Sequence, residues 1–290
     1  MNEYYHISKD KNFKLIKGDC RKEIPKLEEK FDLVFADPPY FLSGGGDTIH
    51  SGKIVPVHKG NWDKTTTKRI MSNFNRKWLI EVRAKMKDNA SLMISGSFHN
   101  IFNIAEILSD LDFKVLNAIT WQKTNPPPHL ACRYFTHSTE VIIWARKHEK
   151  KAHYYNYDLM KEVNGNKQMK DVWILPAIAP WEKKFGKHPT QKPLSVLTRI
   201  ILAASKPNDL ILDPFSGSAT TGIAANLLGR KYVGIDTLNK FLNISIERKK
   251  EIDDLQKPTD FNKFVNKIRG FDNELKLSEI IQKQLENESI

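Results

Sequence analysis

Four consecutive residues early in the chain carry the groups needed to hold a flat ring that bears an amine. The candidate catalytic residues Asp37, Pro38, Pro39 and Tyr40 directly follow an apolar run with the composition of a buried strand. An amine on an aromatic ring is a poor nucleophile because its lone pair is delocalised into the ring. The Asp37 carboxylate and the Pro38 carbonyl would accept its two N–H groups and localise that pair, while Tyr40 would stack on the ring. The alternative is a plain turn, since Asp and Pro end many strands.

A second motif, DPFSGSATT at residues 213–221, lies far downstream between an apolar run and a helical pattern. A glycine-bearing turn lets a small charged ligand approach the backbone, and the N-terminus of the next helix favours the ligand's carboxylate. Asp236 ends the following apolar run and is suitably spaced to bind ribose hydroxyls. A phosphate-binding loop is the competing interpretation, but no Lys follows the glycine as such a loop requires.

The order of the two motifs, DPPY first and DPFSGSATT last, resembles the circularly permuted β group of amino-methyltransferases that act on DNA. The resemblance covers 13–256. It includes Gly18 and Asp19, HPTQKP at 188–193 and WQKTNPPP at 121–128. It implies S-adenosylmethionine as methyl donor, S-adenosylhomocysteine as product and no required metal.

The resemblance also implies a set of residues that bind the cofactor. Lys192 is expected to pair with the methionine carboxylate, because a lysine offers a mobile point charge. The full expected set is Asp19, Thr190, Gln191, Lys192, Asp213, Phe215, Ser216, Gly217, Ser218 and Asp236.

One residue of the cofactor turn departs from the family pattern. Ala219 stands where the family usually has another glycine. Only a position that needs a positive φ strictly demands glycine. We therefore expect the alanine to narrow the turn without abolishing cofactor binding.

The stretch 98–170, which includes CRYFTHSTE and NYDLMK, is similar to the second methyltransferase of GATC-specific restriction systems of the DpnII kind. Members of that group modify adenine, and some also accept single-stranded DNA. The resemblance implies a modification enzyme that acts on the N6 amine of a flipped adenine, with double-stranded and also single-stranded DNA as partners. It further implies a cognate endonuclease and a homodimer.

Three other functions stay open at this point. The first is N4-cytosine methylation, for which the family usually places Ser where this chain has Asp37. The second is methylation of a protein glutamine, which typically shows Asn there and lacks a long basic insert. The third is a degenerate nucleic-acid-binding homologue, against which the intact tetrapeptide and cofactor turn both argue.

The elements that position these motifs have the pattern of an α/β fold. Short apolar runs at 31–36, 91–95, 210–212 and 232–235 predict buried strands, each ending at Gly, Pro or Asp. Helical spacing marks four segments between them, at 70–86, 101–111, 194–204 and 220–228. This alternation predicts one Rossmann-like methyltransferase domain with a mostly parallel twisted sheet.

The remaining segments extend this domain, which we place at 1–257. The stretch 41–68 has no sustained periodicity and is predicted to be a mobile loop, while 121–186 is predicted to be an inserted target-recognition region. The tail, 258–290, is predicted to be a helical appendage or partly disordered. The charge run at 247–251 is interpreted as a solvated helix face.

Composition narrows the partner and the compartment. The formal charge of +12 over 290 residues favours a polyanionic partner. The two cysteines, Cys20 and Cys132, are far apart, which fits a reducing compartment. No run of ~18 apolar residues and no leader pattern is present. We therefore expect a cytoplasmic protein with no membrane partner.

Two further groups of residues could contact DNA or bind a metal ion. Trp62 and Phe41 could close the 41–68 loop over DNA or simply anchor it, and the two interpretations are equally favoured. His129, Cys132 and His137 have a spacing like that of metal ligands. A fourth ligand is missing, so we predict no zinc site there.

Overall fold

The computed structural model describes residues 3–41, 47–50, 53–56, 67–126, 128, 132–133, 135–186, 188–268, 270 and 276–286. Within these ranges the chain forms a nine-stranded mixed sheet covered by helices and a separate two-stranded pair. No helix in the described ranges has the length and apolar character needed to cross a bilayer.

The elements alternate along the chain as the sequence predicts. The strands are β1 (His6–Ile7), β2 (Phe13–Lys17), β3 (Phe31–Ala36), β4 (Asp47–His50), β5 (Lys53–Pro56), β6 (Met86–Gly96), β7 (Lys114–Lys123), β8 (Thr139–Arg146), β9 (Val172–Leu175), β10 (Leu210–Asp213) and β11 (Lys231–Asp236). The helices are α1 (Cys20–Glu23), α2 (Lys68–Lys85), α3 (Ile101–Asp110), α4 (Tyr157–Glu162), α5 (Leu194–Ala204), α6 (Thr220–Leu227), α7 (Asn239–Asp253), α8 (Pro258–Val265) and α9 (Leu277–Glu286).

The sheet has a parallel centre. Its strand order is β1-β2-β11-β10-β3-β6-β8-β7-β9. The run from β2 to β6 is parallel throughout, whereas β8 pairs antiparallel with both of its neighbours. The predicted α/β class with a mostly parallel sheet is confirmed.

Two apolar cores cover the two faces of the sheet. Successive side chains of a strand point to opposite faces, and in β3 Leu33 and Phe35 join one core while Val34 and Ala36 join the other. Helices α5 and α6 cover the first face, and α2 and α3 cover the second. The predicted strands and helices all exist, and α2 begins at Lys68 because the Thr67 side chain caps it.

Parts of the predicted loop and recognition region have regular structure. Strands β4 and β5 form an antiparallel pair inside 41–68, where the sequence shows no periodicity. Trp62 lies outside the described residues, and the mobility of this loop stays a prediction. Strands β8 and β9 fall within 121–186 but belong to the main sheet, so part of the predicted recognition region is sheet structure.

The C-terminal segment packs onto the first core. Phe264 and Val265 of α8 and Ile280 and Ile281 of α9 are buried there. The described part of the tail therefore contributes to the core through an apolar stripe on each short helix. The division of the chain at residue 257 stays a prediction.

Candidate functional site

Four aspartates meet at one edge of the sheet. Asp213 and Asp236 are the last residues of β10 and β11, Asp37 directly follows β3, and Asp19 follows β2. These strands are parallel neighbours, so their carboxyl ends open on the same side. The Gly18 amide, next to Asp19, donates to the Asp236 carbonyl at 2.9 Å, which joins the first parallel strand of the chain to the last.

A cavity of about 330 Å³, called here the larger pocket, lies at this edge and adjoins a smaller pocket. Every residue predicted to bind the cofactor lines one or both of them. Of the tetrapeptide, Asp37 lines both pockets and Pro39 lines the larger one, whereas Pro38 and Tyr40 are buried behind them. The larger pocket is lined by Gly18, Asp19, Cys20, Arg21, Asp37, Pro39, Phe41, Phe74, His188, Thr190, Pro214, Phe215, Ile235, Asp236, Thr237, Leu238 and Phe241.

One wall of the larger pocket is aromatic. Phe74 of α2 packs between Phe41 and Phe215, at ring-centroid distances of 5.6 and 6.1 Å. The guanidinium of Arg21 lies 4.8 Å from the Phe74 ring centroid. Phe41, which was weighed as a loop-closing residue, contributes to this wall. Phe74 and Arg21 were not predicted to line a pocket. A phenylalanine in a helical pattern is typical of the core, and an arginine near Asp19 is typical of the surface.

Two residues of the cofactor turn, Gly217 and Ala219, have a backbone in the left-handed region. Gly217 has φ +51°, and a Cβ there would lie 3.1 Å from His188 Nε2. Ala219 has φ 53° and is fully buried. The premise that alanine is tolerated because this position needs no positive φ is therefore wrong. The chain instead accepts an alanine in the left-handed region, at a cost of about 1–2 kcal/mol.

A buried arginine holds the turn from behind. Arg248 of α7 donates to the Ser218 carbonyl at 2.7 Å and to the Thr220 hydroxyl at 2.8 Å. Lys249 is also buried and pairs with Asp10 at 3.2 Å. The interpretation of 247–251 as a solvated face is thus wrong for these two side chains, because α7 turns them toward the turn and the N-terminal loop.

Two of the four aspartates are stabilised without a cation. Asp213 accepts from the Phe215 amide at 3.0 Å and from the Thr221 hydroxyl at 2.5 Å. Asp236 accepts from the amides of Gly217 and Leu238 at 2.9 and 2.8 Å. Burial raises the pKa of Asp213 to about 7 and that of Asp236 to about 6. No Lys or Arg among the described residues forms an ion pair with either carboxylate.

Asp19 is held differently from these two. It caps α1 by accepting from the Arg21 amide at 3.0 Å, and the Arg21 guanidinium binds its carboxylate. The hydrogen bonds from Arg21 hold the pKa of Asp19 below its usual range. Asp19 therefore remains charged at neutral pH, at the rim of the larger pocket.

The HPTQKP segment supplies polar atoms to both pockets. His188 Nδ1 accepts from the Thr190 amide at 3.3 Å, and burial lowers the pKa of His188 to about 3, so its ring is neutral. The Gln191 amide group donates to the Glu182 carbonyl at 2.9 Å. Its Oε1 is buried in the smaller pocket with no partner among the described residues. A buried acceptor without a donor is costly, and a ligand ammonium would satisfy it.

The Asp37 carboxylate has a donor on each oxygen. The Tyr40 hydroxyl donates to Oδ1 at 2.8 Å, and Lys192 Nζ lies 2.6 Å from Oδ2. Burial raises the pKa of Asp37, although Lys192 opposes the shift. The structure therefore places Lys192, predicted at the cofactor carboxylate, against Asp37 and Tyr40 of the DPPY tetrapeptide.

A buried glutamate missed by the sequence analysis completes this cluster. Glu140, at the start of β8, lies 3.3 Å from Lys192 Nζ and 2.6 Å from Lys123 Nζ. Burial alone would raise the pKa of Glu140, but the two lysines hold it at about 2. The signal in the sequence was a single acidic residue directly before an apolar strand, at the end of the CRYFTHSTE motif.

A metal centre has no support in the described ranges. They contain no group of three or more His, Cys, Asp or Glu side chains that could hold a metal ion. His129 lies outside the described residues, and Cys132 is exposed.

Comparisons with known proteins identify the family of this chain. A family model described as DNA methylase matches residues 31–247. The chain is 52% identical over 266 residues to Type II methyltransferase M2.MboI of Moraxella bovis, covering 91% of this chain and 96% of the relative. It is 54% identical over 236 residues to Type II methyltransferase M2.DpnII of Streptococcus pneumoniae, covering 81% and 88%.

Solved structures have the same fold. The M1.HpyAVI-SAM complex has a TM-score of 0.60 at 25% identity and covers 82% of this chain and 98% of its own. The cytosine-N4-specific PvuII DNA methyltransferase has a TM-score of 0.63 at 18% identity and covers 87% and 92%. The fold is that of S-adenosylmethionine-dependent DNA methyltransferases.

The chain belongs to the DNA methylase family, which covers transfer to N6 of adenine and N4 of cytosine. It is an S-adenosylmethionine-dependent methyltransferase that acts on DNA. The predicted similarity to the second methyltransferase of DpnII-type systems is confirmed.

Proposed function

We propose that this enzyme methylates the N6 amine of an adenine flipped out of DNA, as the modification enzyme of a Type II restriction-modification system. The observation that carries the proposal is Asp37. It is a carboxylate, where the family usually has Ser for cytosine, and it lies where the larger and the smaller pockets meet. The Type II names of M2.MboI and M2.DpnII support the role in modification.

The tetrapeptide would present the amine to the methyl donor. Asp37 and the Pro38 carbonyl would accept the two N–H groups, so that the lone pair points into the larger pocket. S-adenosylmethionine supplies an already activated methyl group. No covalent protein intermediate is needed, and because the methylated amine is strongly acidic while cationic, no dedicated general base is required.

The two pockets fit the methyl donor. The aromatic wall suits a flat purine, and Asp236 ends β11 in a position suited to ribose hydroxyls. Gln191 Oε1 and the Asp213 carboxylate would receive the ammonium of the methionine part, since both are buried in the smaller pocket without a cationic partner among the described residues. Asp19, Thr190, Phe215, Ser216, Gly217 and Ser218 would complete the binding set.

We extend the proposal to the partners. Double-stranded DNA and single-stranded DNA are both proposed substrates, with GATC as the target, on the resemblance to DpnII-type enzymes. A separately encoded cognate endonuclease, a homodimer and a cytoplasmic location belong to the same proposal. Light scattering of the purified protein tests the dimer, since a monomer mass would exclude it.

Product analysis tests the central claim. The purified protein is incubated with a mixed-sequence plasmid and methyl-labelled S-adenosylmethionine, and the nucleosides are then separated by mass. We expect N6-methyladenine, and single-molecule sequencing should place it at one short motif. N4-methylcytosine would contradict the assignment to adenine. Binding of DNA and cofactor without transfer would instead favour a degenerate binding protein.

A further inference from the structure

Glu140 contacts both groups that hold Asp37. Its Oε2 lies 3.2 Å from the Tyr40 hydroxyl and 3.3 Å from Lys192 Nζ. Tyr40 donates to one oxygen of Asp37, and Lys192 donates to the other. The single hydroxyl hydrogen of Tyr40 goes to Asp37, at the shorter distance, so Glu140 acts on Asp37 through Lys192, which also donates to the Tyr40 oxygen at 3.2 Å. We call Tyr40, Lys192, Glu140 and Lys123 together the Asp37 frame.

The second oxygen of Glu140 anchors the frame to the sheet. Lys123 Nζ lies 2.6 Å from Glu140 Oε1, and the two side chains are only 22% and 14% exposed. Lys123 ends β7 and Glu140 lies in β8, and these strands are paired neighbours. Groups carried on paired strands hold their positions better than groups on loops, so Glu140 is a rigid reference point for the Asp37 carboxylate.

Lys192 has no spare donor in this arrangement. An ammonium has three N–H donors, and Nζ is within reach of Asp37 at 2.6 Å, Tyr40 at 3.2 Å and Glu140 at 3.3 Å. The Lys192 side chain is only 7% exposed. To bind a cofactor carboxylate, Lys192 would have to break one of these contacts inside a buried cluster, which is costly.

The charges of the cluster balance. Asp37 and Glu140 contribute two negative charges, and Lys192 and Lys123 contribute two positive ones. A neutral purine can therefore approach Asp37 without bringing a counterion into a buried site. Removal of the Glu140 charge would leave the cluster with a net positive charge and Lys192 with Asp37 as its sole carboxylate partner among the described residues.

We propose that Glu140 is a positioning residue for Asp37, acting through Lys192, and that Lys192 serves this frame rather than the carboxylate of the cofactor. The proposal rests on the proposed function, because it takes Asp37 as the acceptor of the target amine. It also reassigns a residue that the family resemblance places among the cofactor contacts.

Glu140→Gln tests the first half, since glutamine keeps the volume of the side chain and removes its charge. We expect kcat to fall by about 10²-fold, the cost of a small misplacement of a catalytic group, while the Kd for S-adenosylmethionine by calorimetry stays within about twofold. Glu140→Asp keeps the charge and should retain more turnover than Glu140→Gln. An unchanged kcat in Glu140→Gln would overturn the proposal. If that variant does not fold, Glu140→Asp must still show lower kcat at unchanged Kd.

Lys192→Met tests the second half. If Lys192 serves the frame, kcat falls and the Kd for S-adenosylmethionine is unchanged. A Kd raised by about tenfold or more would return Lys192 to the cofactor carboxylate and overturn the reassignment. The double variant Glu140→Gln with Lys192→Met should lose less kcat than the product of the two single losses, because both act on Asp37. Independent, multiplicative losses would contradict a shared frame.

Glu29→Gln is the matched control. Glu29 pairs with Lys14 at 3.1 Å outside both pockets, with side chains 30% and 27% exposed, and its loss should leave kcat and Kd unchanged. All turnover is measured relative to wild type on whichever base the wild-type enzyme methylates. A wild-type product other than N6-methyladenine would therefore contradict the proposed function and leave the test of the frame readable.

Discussion

Asp37, Asp213 and Asp236 are largely buried carboxylates that end a strand or directly follow one, yet their charges are stabilised in different ways. Asp37 has a lysine and a tyrosine hydroxyl on its oxygens, and its cluster is neutral. Asp213 and Asp236 have backbone amides and one threonine hydroxyl, and no ion pair with a described Lys or Arg. The first site suits an uncharged base, and the second suits a cationic cofactor.

Loss of Asp37, the carboxylate that is paired with a lysine, should have the largest effect on turnover. Asp37→Ala removes the proposed acceptor of the target amine, and we expect kcat to fall by about 10³-fold, as for other single groups that act in the transition state. Calorimetry should show cofactor affinity close to wild type, because the proposed cofactor contacts of Asp213 and Asp236 are retained, although Asp37 lines both pockets. Lost cofactor binding would show that the two sites are not separate and would move Asp37 out of its assigned role.

Loss of a carboxylate that is held by amide donors should show the reverse pattern. Asp236→Ala removes the proposed ribose contact and frees the Gly217 amide, and we expect the Kd for S-adenosylmethionine to rise by about 30-fold, equivalent to one strong hydrogen bond. With saturating cofactor, kcat should be largely retained. The exposed Asp254→Ala is the control. An unchanged Kd in Asp236→Ala would remove Asp236 from the cofactor site.

Because no described Lys or Arg pairs with Asp213 or Asp236, we expect cofactor binding to depend on pH. The pKa values of about 7 for Asp213 and about 6 for Asp236 lie above the usual range, so both carboxylates take up protons as the pH falls through that window. A cationic ligand favours the charged forms, so its affinity should fall by roughly tenfold between about pH 8 and pH 6. Calorimetry across this range measures the change, and Asp213→Asn should flatten it. A flat wild-type profile would show that these carboxylates do not face a cation.

The smallest effect is expected at Ala219. Ala219→Gly relieves a left-handed alanine, worth about 1–2 kcal/mol, but it loses a buried methyl and frees the unfolded backbone, together worth a similar amount. We expect thermal stability to change by less than about 1 kcal/mol and the Kd for S-adenosylmethionine to stay the same. A gain of several-fold in affinity would mean that the methyl group narrows the cofactor turn, as the sequence suggests.

Hydrophobic periodicity in the sequence predicted strands of the parallel part of the sheet, which is buried on both faces. It did not predict strands β7, β8 and β9. Apolar runs such as FDLVFA, interrupted only by Asp32, mark strands buried on both faces, and β3 has the predicted bounds. Strand β7 exposes much of one face, and β9 has four residues with a mixed pattern. Strand β9 lies within 121–186, which is rich in Pro and aromatic residues, and β7 runs into the start of that region, so tertiary pairing rather than local pattern decides the structure of both.

The motifs predicted the two pockets but not how their charges are held. The positions of Asp37, Asp213 and Asp236 follow from strand ends, which are visible in the sequence. Glu140 and Arg248 are long-range partners, and nothing near them in the chain distinguishes a buried charge from a solvated one. In particular, Arg248 lies in a run of charges on α7, and only the packing of that helix against the cofactor turn makes it internal.

The hydrogen bond between Gly18 and Asp236 joins β2, an early strand, to β11, the last strand of the sheet along the chain. During synthesis the segment with Asp19 leaves the ribosome long before its neighbour exists, since domains emerge from the N-terminal end. A nascent chain that already carries the complete DPPY tetrapeptide still lacks half of its donor pocket. Methylation therefore begins only once translation has passed β11, and prematurely terminated chains should be inert toward the genome.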